Sequence, residues 1–169
     1  MNTGETATHN AQASTLSMAC TQALQQLDTF DAIIDVRSPA EFTQDHMPGA
    51  INAPVLSNEE RALIGTLHKQ EGAFMAKRRG AVLVARNIAQ HIDEQFQDKP
   101  RSWRPLVYCW RGGQRSGAMA HILKKIGWHA CQLDGGYRAY RRQVRIDLDR
   151  LPEQHRWRVI LGSTGSGKS

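Results

Sequence analysis

Leu106-Val107-Tyr108-Cys109-Trp110-Arg111-Gly112-Gly113-Gln114-Arg115-Ser116-Gly117 is the stretch whose reading decides the fold. A short apolar run ends on a cysteine, a loop with two glycines follows, and helix-like periodicity begins at Ser116. That order sets a thiol at a strand end and against a helix start, where loop amides and the positive end of the helix dipole converge on the sulfur. Arg111 and Arg115 add positive charge. Such surroundings lower a thiol pKa from its free value of about 8.5 and favour the nucleophilic thiolate. A structural cysteine before a turn needs neither the glycines nor the arginines. Cys109 is therefore the candidate nucleophile, and Trp110, Arg111, Gly112, Gly113, Gln114, Arg115 and Ser116 are the candidate anion-binding loop.

Strands and helices alternate outward from this loop. Downstream, Ser116 to Ile126 reads as a helix with Met119, Ile122, Leu123 and Ile126 facing inward, stopped by Gly127. Trp128 to Leu133 reads as a strand, Asp134-Gly135-Gly136 as a turn, and Tyr137 onward as a basic helix. Upstream, residues 17–27 suggest a helix and Phe30 to Asp35 a strand. Ser38-Pro39 with Glu41 gives a capping-box helix start. His46-Met47-Pro48-Gly49-Ala50 is a turn before a brief strand at Ile51-Asn52-Ala53. Residues 58–97 suggest two helices, broken or bent near Gly72 or Gly80. There Val84, Ile88, Ile92 and Phe96 form a stripe more suited to core than to a ligand pocket. The alternation predicts an α/β fold with a central parallel sheet and helices on both faces. Sites in such sheets lie at the carboxyl ends of strands, where Cys109 sits.

Composition bounds the function. The chain has 169 residues, enough for one domain and part of another. Three cysteines, Cys20, Cys109 and Cys131, show no paired spacing, which argues against a disulfide framework or a metal site. Cys131, in a strand-like run, is expected to be buried, and Cys20 to be inert. No basic-apolar leader is visible, residues 1–16 read as a disordered lead, and no run approaches the roughly 20 apolar residues of a membrane span. A working thiolate suits a reducing cytoplasm. The net charge is +6. Between Arg138 and Arg158 seven arginines face three acids. That is either a solvated helix face or a surface for a polyanion such as RNA, and the phosphate-gripping fork of arginine favours the second.

The chain changes character after Tyr137's helix. Residues 146–157 read as a linker, and Arg158-Val159-Ile160-Leu161 as a new strand. Gly162-Ser163-Thr164-Gly165-Ser166-Gly167-Lys168-Ser169 then matches the P-loop pattern. Gly162, Gly165 and Gly167 would let the backbone wrap a phosphate chain, Lys168 would reach its terminal phosphates, and Ser169 would hold magnesium. The pattern stops before the helix that completes such a cradle, so residues 158–169 are expected to open a second, truncated P-loop α/β domain.

Three motifs together resemble a rhodanese domain spanning residues 17–145, with 58–101 as a helical insertion. They are Asp35-Val36-Arg37-Ser38-Pro39-Ala40-Glu41-Phe42, then His46-Met47-Pro48-Gly49-Ala50, then the Cys109 loop backed by Leu133-Asp134-Gly135-Gly136-Tyr137. By that resemblance Cys109 carries transferable sulfur as a persulfide, while Asp35, Arg37 and Glu41 are structural, tying the first strand to the loop region. The long insertion, the Cys-Trp-Arg-Gly-Gly wording and the P-loop narrow the resemblance to the bacterial tRNA 2-selenouridine synthases. That resemblance implies replacement of sulfur by selenium in the wobble 2-thiouridine of tRNA through a geranylated intermediate. It also implies selenophosphate and geranyl diphosphate as co-substrates, no permanently bound cofactor, an enzyme supplying selenophosphate as a partner, and the P-loop domain as handler of the diphosphate.

Other readings stay open on the residues alone. The loop also fits Cys-x5-Arg with Arg115 as the arginine, the wording of tyrosine phosphatases, where Asp134 would be the nearest general acid. A plain thiosulfate or persulfide sulfurtransferase fits too, as does a non-enzymatic module that holds tRNA on the arginine-rich face. Trp110 suits equally a stacked base or a pocket wall.

Overall fold

Five short strands are laid side by side, all parallel, in the order β1-β5-β4-β2-β3. They are β1 (Ser17–Met18), β2 (Ala32–Asp35), β3 (Ala50–Asn52), β4 (Pro105–Tyr108) and β5 (Cys131–Leu133). The computed structural model describes residues 17–154, with Arg156, Arg158 and Gly167. The expected lead over 1–16 and most of the P-loop (Gly162, Gly165, Lys168 and Ser169) lie outside the described residues.

Strand β4 is central and buried throughout, and its side chains alternate between two cores. Val107, with Cys109 just beyond the strand, joins Ile34, Val36, Met119 and Leu123 on one face. Leu106 and Tyr108 join Ala23, Met47, Leu133 and Tyr137 on the other. The first face is covered by α4 (Ala73–His91) and α5 (Gln114–Ile126), the second by α1 (Cys20–Gln25) and α6 (Gly136–Gln154). Helices thus lie on both faces, as the alternation predicts. Pro105 is tolerated in the central strand because it occupies the first position.

Local chemistry sets the element ends. Helix α2 (Pro39–Gln44) starts at a capping box in which the Glu41 carboxylate accepts from the Ser38 amide at 3.2 Å. The insertion is a helical hairpin of α3 (Asn58–Gln70) and α4, broken at Gly72, and α4 runs on into a π-helical turn over Ile92–Phe96. Gly80 does not break the helix; it faces Ile64 of α3.

Four sequence expectations change. Residues 17–18 are not helical but form an edge strand on β5, with Ser17 beside Gln132 and Met18 beside Leu133. Ile126 does not face inward; it is 50% exposed, on the last turn of α5 beyond the core. Strand β5 begins at Cys131 rather than Trp128, because Trp128 turns into the aromatic cluster with Trp103 instead of the ladder. Helix α6 also continues through 146–154, the first part of the expected linker.

Candidate functional site

The thiol of Cys109 sits where β4 ends and α5 begins, 3% exposed. Burial alone would push its pKa up. The Ser116 hydroxyl and amide, the Arg115 charge and the Gly113 amide outweigh it, and the thiol is held below its ordinary value. The Ser116 hydroxyl lies 3.2 Å from the sulfur. Cys20 and Cys131 move the other way, pushed up mainly by burial. One thiol of three is set for thiolate chemistry.

The loop holds that shape through its backbone. Gly112 and Gly136 lie face to face with φ of +65° and +55°. A Cβ on Gly136 would land on the Cys109 carbonyl oxygen, and one on Gly112 would meet the Leu133 carbonyl and the Gly135 amide. Neither position admits another residue without a backbone shift. The first amides of α6 then cap the loop: Tyr137 N–H donates to the Cys109 carbonyl at 2.8 Å and Arg138 N–H to the Trp110 carbonyl at 3.0 Å.

Gln132 clamps the other side, and sequence reasoning missed it. Its amide donates to the carbonyls of Gly112 at 2.5 Å and Gly113 at 3.1 Å, and to the Ser116 hydroxyl at 3.0 Å. Ser116 accepts that bond, and its own hydrogen is placed between the sulfur and the Gly113 carbonyl 3.3 Å away. The signal was one amide inside the apolar run Ala130-Cys131-Gln132-Leu133, since a buried amide must find partners.

Arg115 is anchored rather than solvated. Its guanidinium donates to Glu41 at 2.8 Å, and Arg61 of α3 meets the same carboxylate at 2.9 Å. Burial would raise the Glu41 pKa, but the two guanidiniums and the Ser38 amide hold it below the usual carboxylate range. Glu41 thus joins α2, the insertion and the start of α5. Asp35 and Arg37 form a fully buried pair, with the guanidinium also bonded to the Asp45 carbonyl at 2.7 Å and 4.1 Å from the Tyr137 ring centroid.

The other loop residues diverge. Trp110 is half-buried and packs on Tyr137, on the face of the sheet opposite the Cys109 cluster. Arg111 and Gln114 are exposed at the mouth of the loop. Beside Gln114 and Arg115 opens a cleft of about 800 Å³ between the α3–α4 hairpin and α5, walled by Leu56, Ile64, Ala76, Val84 and Ala118. The Val84 stripe read as core is core: Ile88 and Phe96 are buried, Val84 and Ile92 pack partly buried against them, and Val84 also borders this cleft. Among the described residues no group of His, Cys, Asp and Glu could hold a metal ion, and no helix is long and apolar enough to cross a membrane.

Known proteins resemble this chain in sequence and in fold. The chain is 41% identical over 138 residues to the tRNA 2-selenouridine synthase of Nitrosomonas europaea, a match covering 81% of this chain and 36% of that protein. It is 40% identical over 152 residues to the enzyme of the same name from Salmonella paratyphi A, covering 88% and 40%. The chain thus spans about two-fifths of the length of these relatives. Among solved structures, the N-terminal domain of a putative ATP/GTP binding protein from Clostridium difficile superposes with a TM-score of 0.63 at 32% identity, covering 76% of this chain and 98% of that domain. Residues 19–143 match the rhodanese-like domain, and the chain belongs to that family.

Proposed function

We propose that this chain is the rhodanese part of a tRNA 2-selenouridine synthase, a transferase in which Cys109 carries the chalcogen. The observation that carries the reading is the down-shifted thiol of Cys109, hydrogen-bonded to Ser116 and ringed by loop amides. Relatives bearing that name at 40–41% identity support the wider activity. In this reading selenophosphate is the selenium donor, the wobble 2-thiouridine of tRNA is the acceptor, and geranyl diphosphate serves the geranylated intermediate. A P-loop at Gly162 to Ser169 suits the diphosphate, and the arginines of α6 suit the tRNA backbone. A cytoplasmic setting and an enzyme that supplies selenophosphate belong to the same proposal.

The chemistry of the loop follows from its geometry. Thiosulfate gives a balanced loading step. The Cys109 thiolate attacks the outer sulfur, the sulfur–sulfur bond to the sulfonate breaks, and sulfite leaves with the electron pair. A persulfide remains on Cys109, its negative charge facing the Gly113 and Ser116 amides and Arg115. Intact-mass spectrometry after incubation with thiosulfate tests the carrier role. One added sulfur atom on the wild type, absent from Cys109→Ser, is expected; no adduct, or an equal adduct on the variant, overturns it.

A further inference from the structure

Gln132 stands in a strand that is otherwise apolar and buried. Its neighbours Cys131 and Leu133 turn into the core on the far side of the sheet. Gln132 lies level with Val107 of β4, two residues before Cys109, so its side chain emerges on the Cys109 face. Helix α5 leaves room for it there, since a Cβ on Gly117 would stand 3.4 Å from the Gln132 Oε1. The buried Nε2 reaches three acceptors, the Gly112 and Gly113 carbonyls and the Ser116 hydroxyl. None of these bonds goes to the sulfur, yet each one constrains a group that does face it.

Two levers run from that amide to the thiol. Among the described residues no peptide bond is cis, so the Gly112 carbonyl and the Gly113 N–H point opposite ways from one plane. Drawing the carbonyl to Gln132 turns the Gly113 N–H towards the sulfur, to which it donates. The second lever acts on the Ser116 hydroxyl. Its hydrogen has two acceptors in reach, the sulfur at 3.2 Å and the Gly113 carbonyl at 3.3 Å. A carbonyl oxygen has two lone pairs, and that of Gly113 already accepts from Gln132 at 3.1 Å and from the Gly117 amide at 3.0 Å. Gln132 also occupies a lone pair of the Ser116 oxygen itself. The hydroxyl hydrogen is thereby steered to the sulfur. We infer that Gln132 is a positioning residue for chalcogen carriage: with one amide group it aims the Gly113 N–H and the Ser116 O–H at the Cys109 sulfur without touching it. This role rests on the proposed function of Cys109 for its purpose, and on the hydrogen bonds alone for its geometry. An aliphatic side chain at position 132 would fill the same space and leave both donors free to turn away.

Gln132→Met keeps the length of the side chain and removes the amide. The readout is iodoacetamide alkylation of Cys109 against pH, scored by peptide mass spectrometry. The midpoint should rise by about one pH unit, the size of a lost hydrogen bond to a charged group. In the double variant with Ser116→Ala the rise should exceed that of Ser116→Ala alone, because the Gly113 amide is released too. It should fall short of the sum of the two single shifts, because the Ser116 contribution is lost only once. A Gln132 that served the fold alone would lower the melting temperature and leave the midpoint in place. The wild type supplies a second measurement that needs no variant. In a pH titration followed by NMR, the Gly113 N–H and the Gln132 side-chain amide resonances should shift with the alkylation midpoint. An unmoved midpoint in folded Gln132→Met, additive shifts in the double variant, or a Gly113 resonance indifferent to the thiol titration overturns the inference. Intact-mass loading with thiosulfate keeps the two readings apart: a wild type that takes up no sulfur sinks the carrier role, while alkylation still reports how the donors are aimed.

Discussion

Replacing Ser116 with alanine removes one hydrogen-bond donor from the Cys109 sulfur, and its effect can be worked out in advance. The hydroxyl sits 3.2 Å from the sulfur in a site with no solvent exposure at Ser116, so water cannot substitute for it. A hydrogen bond to a charged group contributes about 1.5–3 kcal/mol. At 1.36 kcal/mol per pKa unit, and at the low end because sulfur is a weak acceptor, the thiol pKa should rise by about one unit. The Gly113 and Ser116 amides and Arg115 remain, so the shift should not reach the values of a plainly buried thiol. The assay is the rate of iodoacetamide alkylation against pH. Its midpoint is the quantity to read, because a more basic thiolate is also intrinsically more reactive, by about threefold per unit at a Brønsted slope near 0.45. Rates at neutral pH alone would therefore understate the effect. The sign also fixes a stability signature. The folded thiol pKa is lowered, so the thiolate stabilises the fold fully above the ordinary thiol pKa, and that contribution is lost as pH falls through the folded value. Wild type should exceed Ser116→Ala most at alkaline pH, with the gap narrowing as pH drops. An alkylation midpoint that stays in place while Ser116→Ala remains folded would refute the assignment of the lowered pKa to Ser116.

Asp35→Asn should lower unfolding free energy by about 3–5 kcal/mol in a denaturant titration, because it leaves the Arg37 guanidinium buried without its counter-charge. Gly136→Ala should cost about 1–3 kcal/mol from backbone strain and more from overlap with the Cys109 carbonyl, and should also move the alkylation midpoint. Gly49→Ala, at φ +74° with open space around its Cβ position, should show the strain alone and leave the midpoint where it was.

The parts of the structure legible in the sequence are those fixed by local chemistry. The Cys109 loop is legible as a strand-loop-helix joint, because two glycines and a helical stripe follow the apolar run directly. The capping box at Ser38 is legible for the same reason, since its partners lie three residues apart. Strand β1 was not, because two residues carry no alternation and their partners, Gln132 and Leu133, are supplied by the far end of the chain. That Val84 also borders a cleft was hidden because helical periodicity shows which residues face inward, not whether a neighbour fills all the space they face. Gln132 was visible as an anomaly but not as a clamp, since its three partners come together only when β5 docks beside the loop.

The face-to-face packing of Gly112 and Gly136 has a consequence for how this site can change over evolutionary time. Main chain touches main chain there, so the joint contains no side chain to vary, and the thiol's position is in effect invariant to drift at that point. Reactivity must be retuned from the surrounding ring, at Ser116, Gln132 and the Glu41–Arg115 pair, each of which can be altered without dismantling the joint. The same joint makes α6 and the Cys109 loop a single mechanical piece, because two amides in the first turn of the helix, those of Tyr137 and Arg138, hold the carbonyls of Cys109 and Trp110. A load placed on α6, such as a polyanion seated on its arginines, would reach the sulfur as a displacement of backbone, with no side chain to absorb it.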